Sequence, residues 1–178
     1  MPEPALIMIP AIAADGSLYP IEKLEAHQKG IFHQAVSVFI FCGGDLLIQQ
    51  RALSKYHCGG MWANTCCTHP HWDETLSASA HRRLREEMGF DVELRPASII
   101  DYAADVTGGL REYERVQVYT ARVNRADIEI VLNEHEVCDY AWVNFDDLQS
   151  NACVNPDHYA PWFRIYLERW AELGLTPS

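Results

Sequence analysis

Residues 64–90 bring a thiol, an imidazole and a run of charged side chains close together in the sequence. The adjacent cysteines Cys66 and Cys67 precede His69, and a segment rich in arginine and glutamate extends from Glu74 to Glu87. Thiols, imidazoles and carboxylates are groups that enzymes use for positioned proton transfer. Carboxylates also bind hard divalent cations, which themselves bind phosphate oxygens. The run therefore indicates acid/base chemistry next to a metal-bound diphosphate.

The cysteine pair allows several interpretations when it is taken alone. A structural zinc site would need paired CxxC elements, which the sequence lacks. Simple packing is the common role of such cysteines. The position of Cys67 in a loop just before a predicted helix instead favours a reactive thiolate. Cys66 should point the opposite way on an extended chain, so we expect it to be a packing residue.

Four further groups and one basic segment are candidates outside this run. Glu112 and Glu114 alternate along a predicted strand and should face the same way. Two neighbouring carboxylates repel each other unless they are solvated or share a metal ion or a proton. His27 and His33 flank the entry to a predicted hairpin, where isolated histidines are usually surface or capping residues. Residues 51–55, RALSK, follow a strand and are either solvated or bind a phosphate.

The helix that must carry the charged groups is predicted at residues 74–88. Apolar side chains recur at every fourth position from Leu76 to Met88, which gives the helix one buried face. Thr68 or Asp73 is expected to cap its start, and Gly89 follows its end.

The remaining predicted elements alternate with this helix. Strands are predicted at residues 6–9, 34–42, 46–50, 91–99, 112–123 and 139–143. A short helical or irregular segment is predicted at 20–28, a short helix at 144–148 and a second long helix at 156–173. Strands interleaved with two long helices predict the α/β or α+β class with a mixed sheet. We expect a single domain over residues 1–178.

Composition excludes some classes of function. The 178 residues carry a net charge of −11, which argues against a broad nucleic-acid surface but allows a small anionic substrate. No apolar run reaches the roughly 18 residues needed to cross a membrane. We therefore expect a cytoplasmic protein with reduced cysteines, of which Cys42, Cys58, Cys138 and Cys153 should be buried.

The 74–90 segment resembles the Nudix box, in which helix carboxylates hold divalent cations that bind a diphosphate. The matching pattern is Glu-x7-Arg-x-Leu-x-Glu-Glu-x-Gly, starting at Glu74. Two positions depart from the box, because Thr68 stands where it has glycine and Arg83 stands where it has glutamate. A cation at position 83 weakens the case for metal-assisted hydrolysis and suits direct contact with diphosphate oxygens.

The motifs together resemble the type 1 isopentenyl-diphosphate isomerases, a family with the Nudix fold. The resemblance extends from Lys23 to Trp162 and depends on RALSK at 51–55, WANTCCTHP at 62–70, the altered box and EYE at 112–114. It implies a mixed β-sheet sandwiched between helices. It also implies interconversion of isopentenyl and dimethylallyl diphosphate in isoprenoid biosynthesis, by protonation and deprotonation through a tertiary carbocation.

The same resemblance implies roles for individual residues. Cys67 and Glu114 would be the catalytic pair, Trp162 would face the carbocation, and Tyr102 would assist proton transfer. The metal site would be formed by His27, His33, His69, Glu112 and Glu114. This donor set suits Mn²⁺ or Zn²⁺ better than Mg²⁺.

The implied substrate site contains a second cation. Mg²⁺ would enter with the substrate diphosphate and be held by Glu87 and the backbone carbonyl of Cys67. The implied diphosphate contacts are Lys23, Arg51, Lys55 and Arg83. We expect a small isoprenoid diphosphate as the ligand, with no nucleic-acid or membrane partner. Nothing in the sequence indicates an oligomeric state.

Two other functions remain open at this point. A Nudix pyrophosphohydrolase would release phosphate or a nucleoside monophosphate and should have glutamate at position 83. A metal-stabilised binding module would keep its role after replacement of Cys67 by alanine.

Overall fold

A computed structural model describes residues 6–177. Within that range, nine strands form one sheet. They are β1 (Met8–Ile12), β2 (Leu18–Glu22), β3 (His33–Cys42), β4 (Asp45–Arg51), β5 (Trp62–Ala63), β6 (Cys66–Thr68), β7 (Arg95–Val106), β8 (Leu110–Arg122) and β9 (Val137–Asn144). The α-helices are α1 (Lys23–Lys29), α2 (Leu76–Met88), α3 (Phe145–Val154) and α4 (Pro161–Glu168). Short 3₁₀ turns lie at Arg125–Asp127, Pro156–His158 and Trp170–Leu173.

Strand β3 is the centre of the sheet and makes it mixed. It is parallel to β8, with His33 opposite Glu114 and Phe41 opposite Arg122. It is antiparallel to β1, β4 and β6. This register brings the histidine end of β3 next to the acidic end of β8. The sheet order therefore brings together residues that are about 80 positions apart in the sequence.

Helices cover both faces of the sheet. On one face, Val36, Val38 and Ile40 of β3 pack with the apolar stripe of α2. On the other face, Ala35 and Phe39 pack with side chains of α3 and α4. The predicted α+β class with a mixed sheet between helices is confirmed. No helix within residues 6–177 is both long and apolar enough to cross a membrane.

The predicted helix at 74–88 starts two residues later than expected. It begins at Leu76 because the Thr75 hydroxyl accepts a hydrogen bond from the Ala78 amide at 3.1 Å. The expected caps Thr68 and Asp73 are therefore wrong. Glu74 instead accepts two hydrogen bonds from the Arg82 guanidinium.

The second predicted long helix is divided into three pieces. Residues 156–173 form a 3₁₀ turn, then α4, then another 3₁₀ turn. The break before α4 follows from Pro161, because a proline disfavours helical geometry in the preceding residue. Ala160 accordingly has an extended ψ of 142°. The prediction of one continuous helix is wrong.

Other bounds also shift. The strand predicted at 91–99 begins at Arg95 and continues to Val106, where it turns into β8. The predicted short helix at 144–148 extends to Val154.

All six cysteines lie in the described range as free thiols. Of the four that were expected to be buried, only Cys58 is fully buried. Cys42 is half-buried, whereas the expectation is wrong for Cys138 and Cys153, which are exposed.

Candidate active site

One cleft gathers nearly all of the residues singled out from the sequence. It lies where β3, β6 and β8 meet α1 and α4. Its lining includes Lys23, Arg51, Lys55, Cys67, His69, Arg83, Glu87, Tyr102, Glu112, Glu114 and Trp162. His27 and His33 are fully buried behind this wall and contact Glu114 from there.

Three imidazoles converge on one carboxylate oxygen. Oε1 of Glu114 lies 2.8 Å from Nε2 of His69, 3.4 Å from Nε2 of His33 and 4.0 Å from Nε2 of His27. The ligand atoms of these four residues all lie within 4.8 Å of one another. This arrangement can hold a metal ion.

Backbone carbonyls fix the ring orientation and the tautomer of two of these imidazoles. Nδ1 of His27 lies 2.6 Å from the Lys23 carbonyl, and Nδ1 of His33 lies 2.6 Å from the Ile31 carbonyl. Each Nδ1 therefore carries the proton and donates it, which leaves the Nε2 lone pair free for a metal. Both Nε2 atoms are buried and make no hydrogen bond within residues 6–177. The donor set fits a divalent transition metal.

Glu112 lies beside this cluster rather than within it. Its Oε2 is 2.8 Å from the Tyr102 hydroxyl, and its Oε1 is 3.6 Å from Nε2 of His57. Tyr102 also lies 2.9 Å from Oε2 of Glu114. One tyrosine hydroxyl therefore joins the two acids.

Proton counting distinguishes the two acids. The Tyr102 hydroxyl has one proton, so it donates to one carboxylate and accepts from the other acid. Burial, together with the charge of Glu114, raises the pKa of Glu112 well above its usual range. Burial also opposes ionisation of Glu114, but the His69 imidazole, 2.8 Å away, holds the pKa of Glu114 well below that range. The shared proton therefore belongs to Glu112.

Cys67 is held as a neutral thiol. It lies on β6 opposite Ser37, and its sulfur donates to Oδ1 of Asn64 at 2.9 Å. Burial raises the pKa of the Cys67 thiol to about 12. The expectation of a loop thiolate favoured by a helix N-terminus is wrong, because burial outweighs that effect. Cys66 points into the opposite core, as expected.

Trp162 forms an aromatic wall of the cleft and also packs in the core beneath it. The side chain is 3% exposed. The Arg51 guanidinium carbon lies 5.1 Å from its ring centroid, and the His57 ring lies 5.9 Å away. Aromatic faces attract cations at such distances.

Four basic residues line the cleft. The four are Lys23, Arg51, Lys55 and Arg83. Lys23 is half-buried beside the other three, and its desolvation, strengthened by the charges of Arg83, Lys55 and Arg51, lowers the pKa of Lys23 to about 8. Arg83 makes ion pairs with Glu87 and with Glu86, the latter at 2.9 Å.

Some residues of the site gave no signal in the sequence. His57 is buried between Trp162 and Glu112, and its carbonyl accepts a hydrogen bond from Arg51. Tyr166 lines the cleft and bonds Ser37 at 2.8 Å. A histidine next to a basic motif or a tyrosine in an amphipathic helix is too common to be singled out by type and spacing alone.

Comparison with known proteins now identifies the family. The NUDIX domain matches residues 31–163. The isopentenyl-diphosphate Delta-isomerase of Rhodobacter capsulatus is 47% identical over 171 residues, covering 96% of each chain. That of Ruegeria pomeroyi is 48% identical over 174 residues, covering 97% of this chain and 95% of the relative. The chain belongs to the isopentenyl-diphosphate Delta-isomerases of the Nudix superfamily.

Solved structures agree on the fold. A crystal structure of the Deinococcus radiodurans protein DR0079 matches with a TM-score of 0.71 at 14% identity, covering 91% of this chain and 98% of that one. A MutT protein of Methanosarcina mazei matches with a TM-score of 0.62 at 20% identity, covering 79% and 93%. At these identities the likeness shows the Nudix fold alone.

Proposed function

We propose that this enzyme interconverts isopentenyl and dimethylallyl diphosphate with Cys67 and Glu114 as its proton-transferring pair. Membership of the isomerase family supports the reaction. The observation that supports the residue assignment is the lining of the cleft, which includes a thiol, a carboxylate and four cations.

The reaction needs one acid and one base. A proton adds to the terminal alkene carbon of isopentenyl diphosphate, and the positive charge develops on the neighbouring tertiary carbon. A proton then leaves the adjacent CH₂ group, and the new double bond forms there. Burial raises the pKa of Cys67 to about 12, and the His69 imidazole holds the pKa of Glu114 low against the effect of burial, so the pair offers one acid and one base. Positioned proton transfer of this kind contributes about 10²–10⁴ in rate.

Tyr102 extends this pair to a third group. Its hydroxyl connects ionised Glu114 to the proton on Glu112. While Glu114 is ionised, a proton can pass from Glu112 through the Tyr102 hydroxyl to Glu114, so the two acids share one proton.

Aromatic side chains suit the proposed intermediate. Trp162, Tyr102 and Tyr166 line the cleft and are each less than a tenth exposed. A tertiary carbocation must be kept from water, and an aromatic face stabilises it electrostatically. We assign Trp162 this role.

The cations of the site are proposed from the donor atoms. His27, His33, His69 and Glu114, with Glu112 alongside, would hold one Mn²⁺ or Zn²⁺ (or Mg²⁺). When bound, that ion supplies positive charge that allows neighbouring carboxylates to remain ionised. Glu87 and the Cys67 carbonyl would hold the Mg²⁺ that accompanies the substrate, while Lys23, Arg51, Lys55 and Arg83 hold the diphosphate oxygens.

Pyrophosphate hydrolysis is the weaker alternative. The Nudix domain supports it only in a general way. Arg83 stands at a metal-binding position of the box and forms an ion pair with Glu87, so it removes a carboxylate and adds a cation that can bind the diphosphate. A binding module without catalysis is less consistent with a family of isomerases.

Isomerisation in deuterated water tests the proposal. Incubation with isopentenyl diphosphate and Mg²⁺ should give dimethylallyl diphosphate that carries deuterium from the solvent. Phosphate should be assayed in the same tube. Release of phosphate without labelled product would establish the hydrolase instead.

We also propose that the enzyme works in the cytoplasm, which its six free thiols support. That residues 1–178 form one domain stays a prediction, since residues 1–5 and 178 lie outside the described range.

A further inference from the structure

Glu136 is an acid that contacts two cations of the cleft. It belongs to none of the motifs described above. One of its oxygens, Oε2, lies 2.6 Å from Nζ of Lys55 and 2.7 Å from Nη2 of Arg83. Its carbonyl accepts a hydrogen bond from the Ala52 amide at 2.9 Å. The segment before β9 is thereby tied to the loop that carries Lys55.

The position of Glu136 relative to the cleft limits what it can do. Lys55 and Arg83 line the cleft, but Glu136 does not. It therefore contacts two of the cations without itself forming part of the cleft wall. A carboxylate in that place opposes any anion that the cations attract.

Glu136 is ionised at every pH at which the enzyme would be assayed. Burial opposes its charge, but the hydrogen bond from Lys55 and the charge of Arg83 outweigh burial and lower the pKa of Glu136 to about 2. Its side chain is 23% exposed, so solvent weakens its field without removing it.

Arg83 makes ion pairs with three acids. Its Nη1 donates to Glu86 at 2.9 Å, and its Nη2 donates both to Glu87 and to Glu136. Glu87 in turn accepts a hydrogen bond from Gln49 at 2.7 Å. The four cations thus share the site with two buried or half-buried carboxylates, and the positive charge offered to a ligand is reduced by both.

The two forms of a diphosphate respond differently to this negative charge. Binding of one Mg²⁺ removes two negative charges from the ligand. Repulsion by a fixed carboxylate grows with the ligand's net negative charge, so it is larger for the bare diphosphate than for its magnesium complex. We propose that Glu136 determines specificity in the diphosphate site, by disfavouring the bare diphosphate relative to the magnesium-loaded one. This inference rests on the proposed function of the cleft.

A purely structural role would give a different pattern. Ion pairs at partly exposed positions contribute little to stability. If Glu136 only held its segment against Lys55 and Arg83, its removal would weaken the binding of the bare and the magnesium-loaded diphosphate to the same extent. The ratio of the two affinities therefore separates the alternatives, whereas a single affinity does not.

The test compares Glu136→Gln with the unchanged protein and uses inorganic pyrophosphate as the probe. Calorimetry measures its binding with excess Mg²⁺ and, separately, with chelator. Glutamine keeps the shape of the side chain and can still accept from Lys55. We expect the preference for magnesium pyrophosphate to fall about tenfold, mainly because the bare ligand binds more tightly. Glu134→Gln, at an exposed position two residues away, should keep the original preference.

Each other outcome has a defined meaning. If Glu136→Gln keeps the original preference for magnesium pyrophosphate, or binds both forms of pyrophosphate equally more weakly, the inference is overturned. Neither result would contradict the proposed isomerase function. Failure of the unchanged protein to bind pyrophosphate in either form would overturn the diphosphate site itself. Thermal unfolding of each variant confirms that the comparison is made between folded proteins.

Discussion

The Tyr102 hydroxyl lies 2.9 Å from Oε2 of Glu114 because the two residues are directly opposite in the β7–β8 ladder. Side chains at paired positions of an antiparallel ladder project from the same face of the sheet. The contact is therefore fixed by strand register and does not depend on a flexible loop. The family resemblance implies only that Tyr102 assists proton transfer, and strand register explains how it can reach Glu114.

Removal of this hydroxyl should reduce turnover more than binding. In Tyr102→Phe, the link between Glu112 and Glu114 is lost while the ring still fills the core. We expect kcat to fall about 10²-fold with KM changed by less than about threefold, measured by the isomerisation assay. Tyr113→Phe is the matched control, because Tyr113 lies between the two glutamates in sequence but faces outward at 42% exposure. Equal effects of the two variants would show that Tyr102 has no special role.

Cys67→Ala should abolish turnover. Loss of the sulfur removes one of the two proton-transferring groups but none of the four cations, so pyrophosphate affinity should stay within about twofold. Deuterium incorporation into the product and calorimetry with pyrophosphate measure the two effects. Cys153→Ala, at an exposed thiol on α3, should behave like the unchanged protein. A large loss of affinity in Cys67→Ala would mean that the thiol serves binding.

Metal content should depend on His69. Its Nε2 makes the shortest contact of the three imidazoles with Glu114, at 2.8 Å. We expect purified protein to contain about one tightly bound transition-metal ion per chain and His69→Ala to lose it. His71→Ala is the control, since that side chain is exposed two residues further along. Elemental analysis by mass spectrometry decides, and retention of the ion in His69→Ala would contradict the three-histidine site.

Local patterns were sufficient to predict much of the fold. The spacing of apolar residues in α2 and the alternation in β8 are set by which face meets the core. The prediction of one long helix at 156–173 was wrong because Pro161 restricts Ala160 locally and overrides the apolar periodicity on either side.

The site was predictable where residues belong to a specific motif or follow from the family resemblance that the motifs carry. RALSK and NTCCTHP contributed Arg51, Lys55, Cys67 and His69 to the cleft. Glu136 was not predicted, because its role depends on a contact across the fold with Lys55, 81 positions earlier in the sequence. Ionisation was also misjudged for Cys67, since the extent of burial depends on tertiary packing that a loop-and-helix pattern does not contain.

Binding of the diphosphate should weaken in mildly alkaline solution. Lys23 has a pKa lowered to about 8, so it is charged below that pH and neutral above it. Because an anion prefers the charged form, pyrophosphate affinity should fall as pH rises from about 7 to 9, by roughly tenfold. Lys23→Arg, which stays charged, should lose this decline.

The comparison with Lys23→Arg also removes the contribution of pyrophosphate's own titration, which is the same for both proteins. Lys29→Arg is the control, because Lys29 is exposed and paired with Glu25. Calorimetry at several pH values measures the affinities. Identical pH profiles for the unchanged protein and Lys23→Arg would contradict the assignment of the decline to Lys23.

Gly89→Ala should destabilise the fold far more than an alanine substitution at another glycine with similar backbone geometry. It ends α2 with φ of +77°, and a Cβ there would lie 2.3 Å from the Val131 carbonyl oxygen. Gly109, in the β7–β8 turn, has φ of +71° but no atom within 4 Å of such a Cβ. Both alanine variants bear the cost of left-handed geometry, about 1–2 kcal/mol. Gly89→Ala must also push away the chain at Val131, so urea denaturation should show a clearly larger loss of stability.

The same displacement should reach the diphosphate site. The Asn133 amide donates to the Glu87 carbonyl at 3.1 Å, so the segment next to Gly89 connects the end of α2 to the residues that precede Glu136. We therefore expect Gly89→Ala, under conditions where it remains folded, to weaken pyrophosphate binding about threefold or more. Gly109→Ala should leave binding unchanged. Equal losses of unfolding free energy in the two variants would show that the chain at Val131 moves aside without an energetic penalty. The proposed coupling from Gly89 to the segment before Glu136 would then be contradicted as well.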